Sequence, residues 1–190
     1  RTPTSEIGVS VSLQYQNIPP ETEVYGDAAD RVEVRLRGPS STLRTVSPQD
    51  VSLAIDMSDM TIAEQKVLPL TPEMVSAPFG TEVIRVVPAQ VRLTIERTMR
   101  KSIRIDPRVT GRPEKGFEVE TVVVIPDTVE IEGPESHVQA VDTVRTTAVN
   151  IAGKRTTFKE TVGLDLLDPV IRIPKARAVS LEVRVRPQAK

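Results

Sequence analysis

Few residues in this 190-residue chain could do chemistry, since it has one histidine and no cysteine. Without thiols, disulfide bonds and thiolate catalysis are excluded. Acidic residues lie close to His137 in sequence: Asp127, Glu130, Glu132 and Glu135. A histidine-based metal site needs further nitrogen, sulfur or carboxylate ligands, but these acids fit exposed strand and turn positions equally well. We interpret His137 as a surface residue and predict no catalytic, cofactor-binding or metal site.

A second candidate is the segment Gly111–Gly116, which has the glycine spacing of a phosphate-binding loop. Such a loop ends in lysine and then serine or threonine, and it opens a helix whose N-terminus holds the phosphate. Here Phe117 follows Gly116, and an apolar, strand-like run comes next. We interpret the match as chance.

The net charge does not favour binding to nucleic acid or anionic lipid, because 25 basic and 26 acidic residues leave a formal charge of −1. Four cations cluster near mid-chain: Arg97, Arg100, Lys101 and Arg104. They could touch lipid headgroups or an acidic partner. We favour solvated charges that pair with Glu96 and Asp106. An RNA-binding role would also need aromatic stacking platforms, and the three phenylalanines and two tyrosines are scattered.

Exposed aromatic residues and prolines at strand ends could form an interface. Tyr25, Phe79 and the Pro19-Pro20 pair are candidates for loop tips. For the two aromatics we favour packing in the core or at a sheet edge.

The elements that would position these residues are strands, because apolar residues alternate with polar ones in many segments. The alternating apolar sets are Ile7, Val9, Val11 and Leu13; Val32, Val34 and Leu36; Val51, Leu53, Ile55 and Met57; Val91, Leu93 and Ile95; and Val179, Leu181, Val183 and Val185. This period predicts strands with one buried face. The continuous run Val122–Ile125 predicts burial on both faces. Sixteen prolines favour short strands broken by turns, so we predict an all-β fold of mostly antiparallel or mixed strands.

The chain contains one pattern twice, in Val34–Ser58 and again in Val129–Gly153. Gly38-Pro39 aligns with Gly133-Pro134, and Asp56 aligns with Asn150. The offset of about 95 residues is the size of a small domain, which predicts two domains, 1–97 and 98–190. The joint between them lacks the glycine and serine of a flexible linker, so we expect a short, stiff connection.

Short helical turns are predicted at three places: 40–46 and 135–141, each after a Gly-Pro pair, and 71–75. The first two place Leu43 with Val46, and Val138 with Val141, on one face. We expect Gly38 and Gly133 to supply a backbone angle that L-residues avoid.

These motifs resemble YbbR-like domains, in which a strand ending in Gly-Pro is followed by a short helix and then by a strand ending near Val-Asp-Leu-Ser-Gly. The residues at the motif positions are Gly38, Pro39, Asp56, Pro88, Pro126, Gly133, Pro134, Asn150 and Gly153. The resemblance covers nearly the whole chain and departs from the family pattern at two places. Ala29-Asp30-Arg31 stands where the family usually has a proline, and Asn150 replaces the aspartate.

The resemblance implies two repeats outside the bacterial cytoplasmic membrane, anchored by a transmembrane helix that precedes them. A start at Arg1 is consistent with removal of that anchor. CdaR-type members associate with a membrane diadenylate cyclase and modulate cyclic di-AMP synthesis, and the family has no known catalytic residues. We therefore expect a non-enzymatic regulatory or interaction region. The alternatives are a spacer or adhesion module of the cell envelope and a hydrolase that uses His137.

Overall fold

The computed structural model describes residues 3–26 and 31–189. Strands account for 56% of it and helices for 8%, so the predicted all-β fold is confirmed. The family departure at Ala29 and Asp30 lies outside the described residues. The chain separates into two compact units, Arg1–Arg97 and Thr98–Lys190.

The first unit is built around a five-stranded sheet in the order β6-β4-β1-β3-β7. Strand β1 runs antiparallel to β3 and parallel to β4. Two further strands, β2 and β5, pair with the first part of β8. Its strands are β1 (Thr4–Gln16), β2 (Thr22–Gly26), β3 (Arg31–Pro39), β4 (Ser52–Asp56), β5 (Gln65–Pro69), β6 (Val75–Ser76), β7 (Glu82–Val87) and the first part of β8 (Gln90–Asp106).

The second unit begins within β8, whose later residues pair antiparallel with β11 and parallel with β12. The sheet order is β11-β8-β12-β15, and a second sheet has the order β10-β16-β14. Its remaining strands are β9 (Val109–Thr110), β10 (Phe117–Ile125), β11 (Thr128–Pro134), β12 (Thr143–Thr146), β13 (Val149–Asn150), β14 (Phe158–Val162), β15 (Leu164–Asp165) and β16 (Val179–Pro187). The predicted joint at 97–102 is thus part of a strand.

The alternating apolar residues form the cores, as the pattern predicted. Val34, Leu36 and Leu53 are completely buried in the first unit, and Leu181 and Val183 in the second. Burying each such side chain contributes about 1.5–3 kcal/mol. The buried clusters of the two units share no residue.

The prediction for Val122–Ile125 was wrong. Val122 to Val124 are half-buried and Ile125 is 42% exposed. They lie in β10, which pairs with β16 on one side and forms the end of its sheet. An edge strand has no neighbouring strand on its outer side, so its side chains stay partly in contact with water there. An apolar run does not indicate that position.

Both Gly-Pro pairs lead into helical turns, as predicted, in the form of α1 (Ser40–Leu43) and α2 (Glu135–Gln139). The helices end sooner than expected because the next bonds span three residues, as in Val46 N–H to Leu43 O at 3.2 Å. Leu43 and Val138 are buried. The third predicted turn is a 3₁₀ helix at Pro72–Met74 that follows Thr71. Within the described ranges, no helix has the length and apolar character to cross a membrane.

Candidate functional site

The two Gly-Pro pairs lie where a later loop of the same unit crosses the end of a strand. A Cβ atom on Gly38 would lie 3.0 Å from the Gly80 carbonyl oxygen, and one on Gly133 would lie 3.0 Å from that of Val170. Neither glycine has a positive φ, so the expected special backbone angle was wrong. Glycine suits these two positions because a backbone carbonyl lies against each one and would have to shift by a few tenths of an ångström to admit a Cβ atom. Pro39 and Pro134 then begin the helical turns.

Asp56 and Asn150 play corresponding parts in turns. The Asp56 Oδ1 atom accepts hydrogen bonds from Asn17 Nδ2 and from the Ser58 backbone N–H, both at 3.0 Å. These bonds, chiefly the one from Asn17, lower the pKa of Asp56. Asn150 Oδ1 accepts from the Ala152 N–H at 2.9 Å. An amide serves as well as a carboxylate here, which explains the departure at Asn150.

The remaining motif residues also lie in turns. Pro88 and Pro126 each follow a cis peptide bond after a strand, and Gly153 has a φ of +73°. In the segment Gly111–Gly116, both end glycines have positive φ, and strand β10 follows. The structure therefore places these residues in chain reversals.

His137 has a specific partner that the sequence did not indicate. Its Nδ1 atom lies 2.5 Å from Asp168 Oδ2, and both side chains are about 30% exposed, at 31% and 29%. Burial raises the pKa of Asp168, but hydrogen bonds from His137 and the Val170 N–H outweigh it and lower that pKa. The pair ties α2 to the loop that crosses Gly133. Among the described residues, no three His, Cys, Asp or Glu side chains are grouped as metal ligands.

Three of the four mid-chain cations, Arg100, Lys101 and Arg104, have partners, and most of these partners were not the expected ones. Arg104 lies 3.6 Å from Asp106, as expected. Arg100 bonds Glu132 at 2.9 Å, and Lys101 donates to the Val141 carbonyl at 2.8 Å. Glu96 is 5% exposed and accepts a hydrogen bond from the Tyr25 hydroxyl.

The two aromatic candidates differ. Tyr25 lies half-buried in β2, in agreement with the packing prediction. Phe79 is fully exposed, at 102% of its reference area, so that prediction was wrong for Phe79. It lies in the loop whose Gly80 carbonyl crosses Gly38. Leu167, at 94%, is nearly as exposed and precedes the loop that crosses Gly133.

The best candidate for a functional site is a groove beside β12 in the second unit, which sequence reasoning missed. We call it the edge groove. Its volume is about 530 Å³ and its lining is mainly apolar. It lies between the segments 140–145 and 165–168, with Arg108 and Ile171 completing the wall. Such a groove can bind a ligand by apolar contact and by charge, and it offers no grouped ligands for a metal.

Comparison with known proteins gives consistent findings. The family model for YbbR-like protein matches residues 9–95 and 103–185. The chain is similar to the crystal structure of a YbbR-like protein from Streptococcus pneumoniae TIGR4, with a TM-score of 0.60 and 17% identity over 99% of this chain and 98% of that one. This likeness concerns the fold alone.

The solution structure of SuR18C from Streptococcus thermophilus covers 49% of this chain and 89% of its own, also at 17% identity. Its TM-score of 0.38 is too low to support an argument. No curated protein matches the chain at a significant level.

Proposed function

This chain belongs to the family of YbbR-like proteins, and on that premise we propose that its two repeats form a non-enzymatic, extracytoplasmic interaction region. In this proposal the parent protein is anchored in the bacterial cytoplasmic membrane by a helix outside the given sequence. Its function is to modulate a membrane diadenylate cyclase and thereby the synthesis of cyclic di-AMP.

The observation that carries the proposal is the family match over both repeats. YbbR-like domains are not known as catalytic, so a binding role suits them better than a reaction. A contact on the repeats would change the orientation of the anchor helix. That change would favour one arrangement of the cyclase over another, to the extent that the contact binds one arrangement more tightly.

The test measures cyclic di-AMP made by membranes that carry the cyclase alone, the cyclase with the full-length parent, or the cyclase with a parent that lacks both repeats but keeps the anchor. We expect the full-length parent to change the output and the anchor-only protein not to do so. Immunoblots confirm equal amounts of both proteins in each membrane.

Equal output in all three membranes, without co-purification of the two proteins, would overturn the proposal. In that case a spacer or adhesion module of the cell envelope becomes the better explanation. Equal output from the full-length and anchor-only parents, both different from the cyclase alone, would place the regulation in the anchor instead.

A further inference from the structure

We propose that the second half of β10, residues 121–125, pairs with the same segment of a second copy of this chain and so joins two three-stranded sheets into one. We call this segment the apolar edge. The inference goes beyond the proposed function, because it concerns self-association and holds whether or not the chain acts on a cyclase. Its test uses no cyclase, so each proposal can fail without the other.

The outer side of β10 has no strand beside it in the described part of the chain. β10 pairs with β16 on its inner side and forms the end of the sheet β10-β16-β14. An uncovered edge presents unpaired backbone N–H and C=O groups, which are a template for another strand. Folded proteins therefore protect their edge strands with charges, bulges or prolines.

The first half of β10 has such protection and the second half does not. A β-bulge lies between Val119 and Thr121 and bends the strand there. Glu118 and Glu120 add charge to the same half and lie 3.0 and 3.7 Å from Arg186 of β16. The apolar edge that follows has the sequence Thr-Val-Val-Val-Ile, without charge or proline. All five residues are β-branched and favour strands.

The other edge strands are protected along their whole length. Within the described ranges, each of those with five or more residues, namely β2, β5, β7, β11 and β14, includes a charged side chain. Examples are Glu23, Lys66, Arg85, Glu130 and Lys159, in the same order. The apolar edge is therefore the exception, and its composition suits a strand that has a neighbour on both sides.

The side chains of the apolar edge leave apolar surface for that neighbour to cover. Val122 and Val124 pack against the buried clusters of the second unit. Because successive strand residues alternate between faces, Val123 and Ile125 point to the opposite face. There Ile125 is 42% exposed. A second strand would cover part of this surface without disturbing the core.

The order of residues favours a second copy as the added strand. A two-fold axis places one residue opposite its own copy, and we place Val123 at that centre. Val122 then lies opposite Val124, and Thr121 lies opposite Ile125. Every pair joins two β-branched residues, and such cross-strand pairs stabilise a sheet. The apolar edge is thus complementary to itself.

Charge and proline fix the register of this pairing. If the centre moves by one residue to Val122, the Glu120 side chain lies opposite Val124. If it moves the other way to Val124, the residue opposite Val122 is Pro126, which has no N–H to donate. Only the centre at Val123 pairs all five residues of the apolar edge without a charge or a proline. A second copy meets these limits without any further partner.

The contact is small, so the association should be weak. Five residues from each copy bury well below about 1,200 Å², the lower end of stable interfaces. We expect a Kd between about 10 μM and about 1 mM. Sedimentation velocity and NMR spectra of the whole 190-residue protein over this range of concentration measure it. The sedimentation coefficient should rise, and the amide shifts of residues 121–125 should move with it.

A charge at the centre separates the apolar edge from other exposed surface. Val123→Lys would place two lysines directly opposite each other and should weaken the association about tenfold or more. Val67→Lys is the matched control and should leave Kd unchanged, because Val67 is a 47% exposed valine in the edge strand β5 of the first unit. NMR spectra check that both variants are folded.

Cross-linking tests the register with a milder substitution, since the chain has no cysteine of its own. Directly opposite residues have Cβ atoms about 4.5–5.5 Å apart, so a short bis-maleimide linker should join two copies of Val123→Cys. Ile125 and its copy would lie about 13 Å apart along the strands, so Ile125→Cys should cross-link more slowly. Val67→Cys should cross-link only as fast as random collision allows.

Three results would overturn the proposal. The first is a constant sedimentation coefficient with no shift at residues 121–125 up to about 1 mM, which means a much larger Kd and leaves the apolar edge to a strand of another protein. The second is association that Val123→Lys weakens no more than Val67→Lys does. The third is cross-linking of Val123→Cys that is no faster than that of Ile125→Cys or Val67→Cys.

Discussion

At the scale of single residues, this chain favours glycine at different positions for two different physical reasons. Gly38 and Gly133 have ordinary backbone angles but lie against a carbonyl oxygen. Gly153 has a φ of +73°, and the nearest atom to a Cβ there would be a Glu114 oxygen at 4.0 Å. The sequence shows that glycine is present at all three positions. Only the structure shows whether the cause is contact with a carbonyl oxygen or a positive φ.

The two constraints predict opposite orders of substitution. At Gly133, alanine should lower the free energy of unfolding by about 1–3 kcal/mol through crowding, and the larger asparagine should cost at least as much. At Gly153, asparagine should cost less than alanine, because asparagine tolerates the left-handed region better. Urea unfolding of the four variants measures both orders. A smaller cost for asparagine than for alanine at Gly133 would show that crowding is not the cause.

At the scale of elements, Glu132 joins three segments of the second unit. It lies in β11 and accepts hydrogen bonds from Arg100 of β8 and from Arg172, each at 2.9 Å. Backbone bonds between Glu132 and Arg172 run both ways, at 2.8 and 2.9 Å. The Glu132 side chain is 15% exposed. The hydrogen bond from Arg100 lowers the pKa of Glu132, burial opposes this, and the bond from Arg172 lowers it further.

Glu132→Gln should therefore destabilise the protein at neutral pH by about 1 kcal/mol, a modest value because both arginines are half exposed. The folded pKa of Glu132 is below the unfolded value of about 4.3, so its contribution is complete above pH 4.3 and is lost as pH falls through the folded pKa. Urea unfolding from pH 7 to pH 2 measures the difference.

The control for this prediction is Glu130→Gln, since Glu130 lies 3.9 Å from Arg100 and is 45% exposed. We expect its effect to stay below about 0.5 kcal/mol at every pH. A difference between wild type and Glu132→Gln that persists undiminished at pH 2 would show that the carboxylate charge is not responsible.

The sequence predicted elements well where the signal is local. Alternation located strands such as 32–36 and 179–185, and the repeated Gly-Pro located α1 and α2. Prediction from the sequence failed where the environment of a residue depends on segments that are distant in sequence. The exposure of Ile125 follows from the edge position of β10, and the His137–Asp168 pair joins residues 31 positions apart.

At the scale of the whole molecule, the candidate site was beyond sequence reasoning because no motif marks it. The edge groove exists because β15 pairs with only two residues of β12 and then turns away at Leu166. Alternation of residue types can indicate a strand. It does not indicate over how many residues the neighbouring strand pairs with it. In the sequence Leu167 is an ordinary apolar residue, and only the structure shows that it is 94% exposed.

The separate buried clusters of the two units predict that each unit folds alone. Residues 1–97 retain the first cluster, and residues 98–190 retain the other two. We expect each fragment to give a dispersed NMR spectrum whose amide shifts match those of the whole protein away from the cut. Domains of this size bury just over 60% of their unfolded surface, so each should be stable by only about 5–10 kcal/mol.

A shorter second fragment supplies the matched control for this prediction. Residues 107–190 lack all of β8, the strand that pairs with both β11 and β12. They also lack Ile103 and Ile105, which are 2% exposed in the core of the second unit. Losing two buried isoleucines alone costs about 4–10 kcal/mol, which is as large as the expected stability, and the backbone pairing of β8 is lost as well. This fragment should be unfolded while 98–190 is folded; if 98–190 is also unfolded, the units do not fold independently and a boundary at residue 97 is wrong.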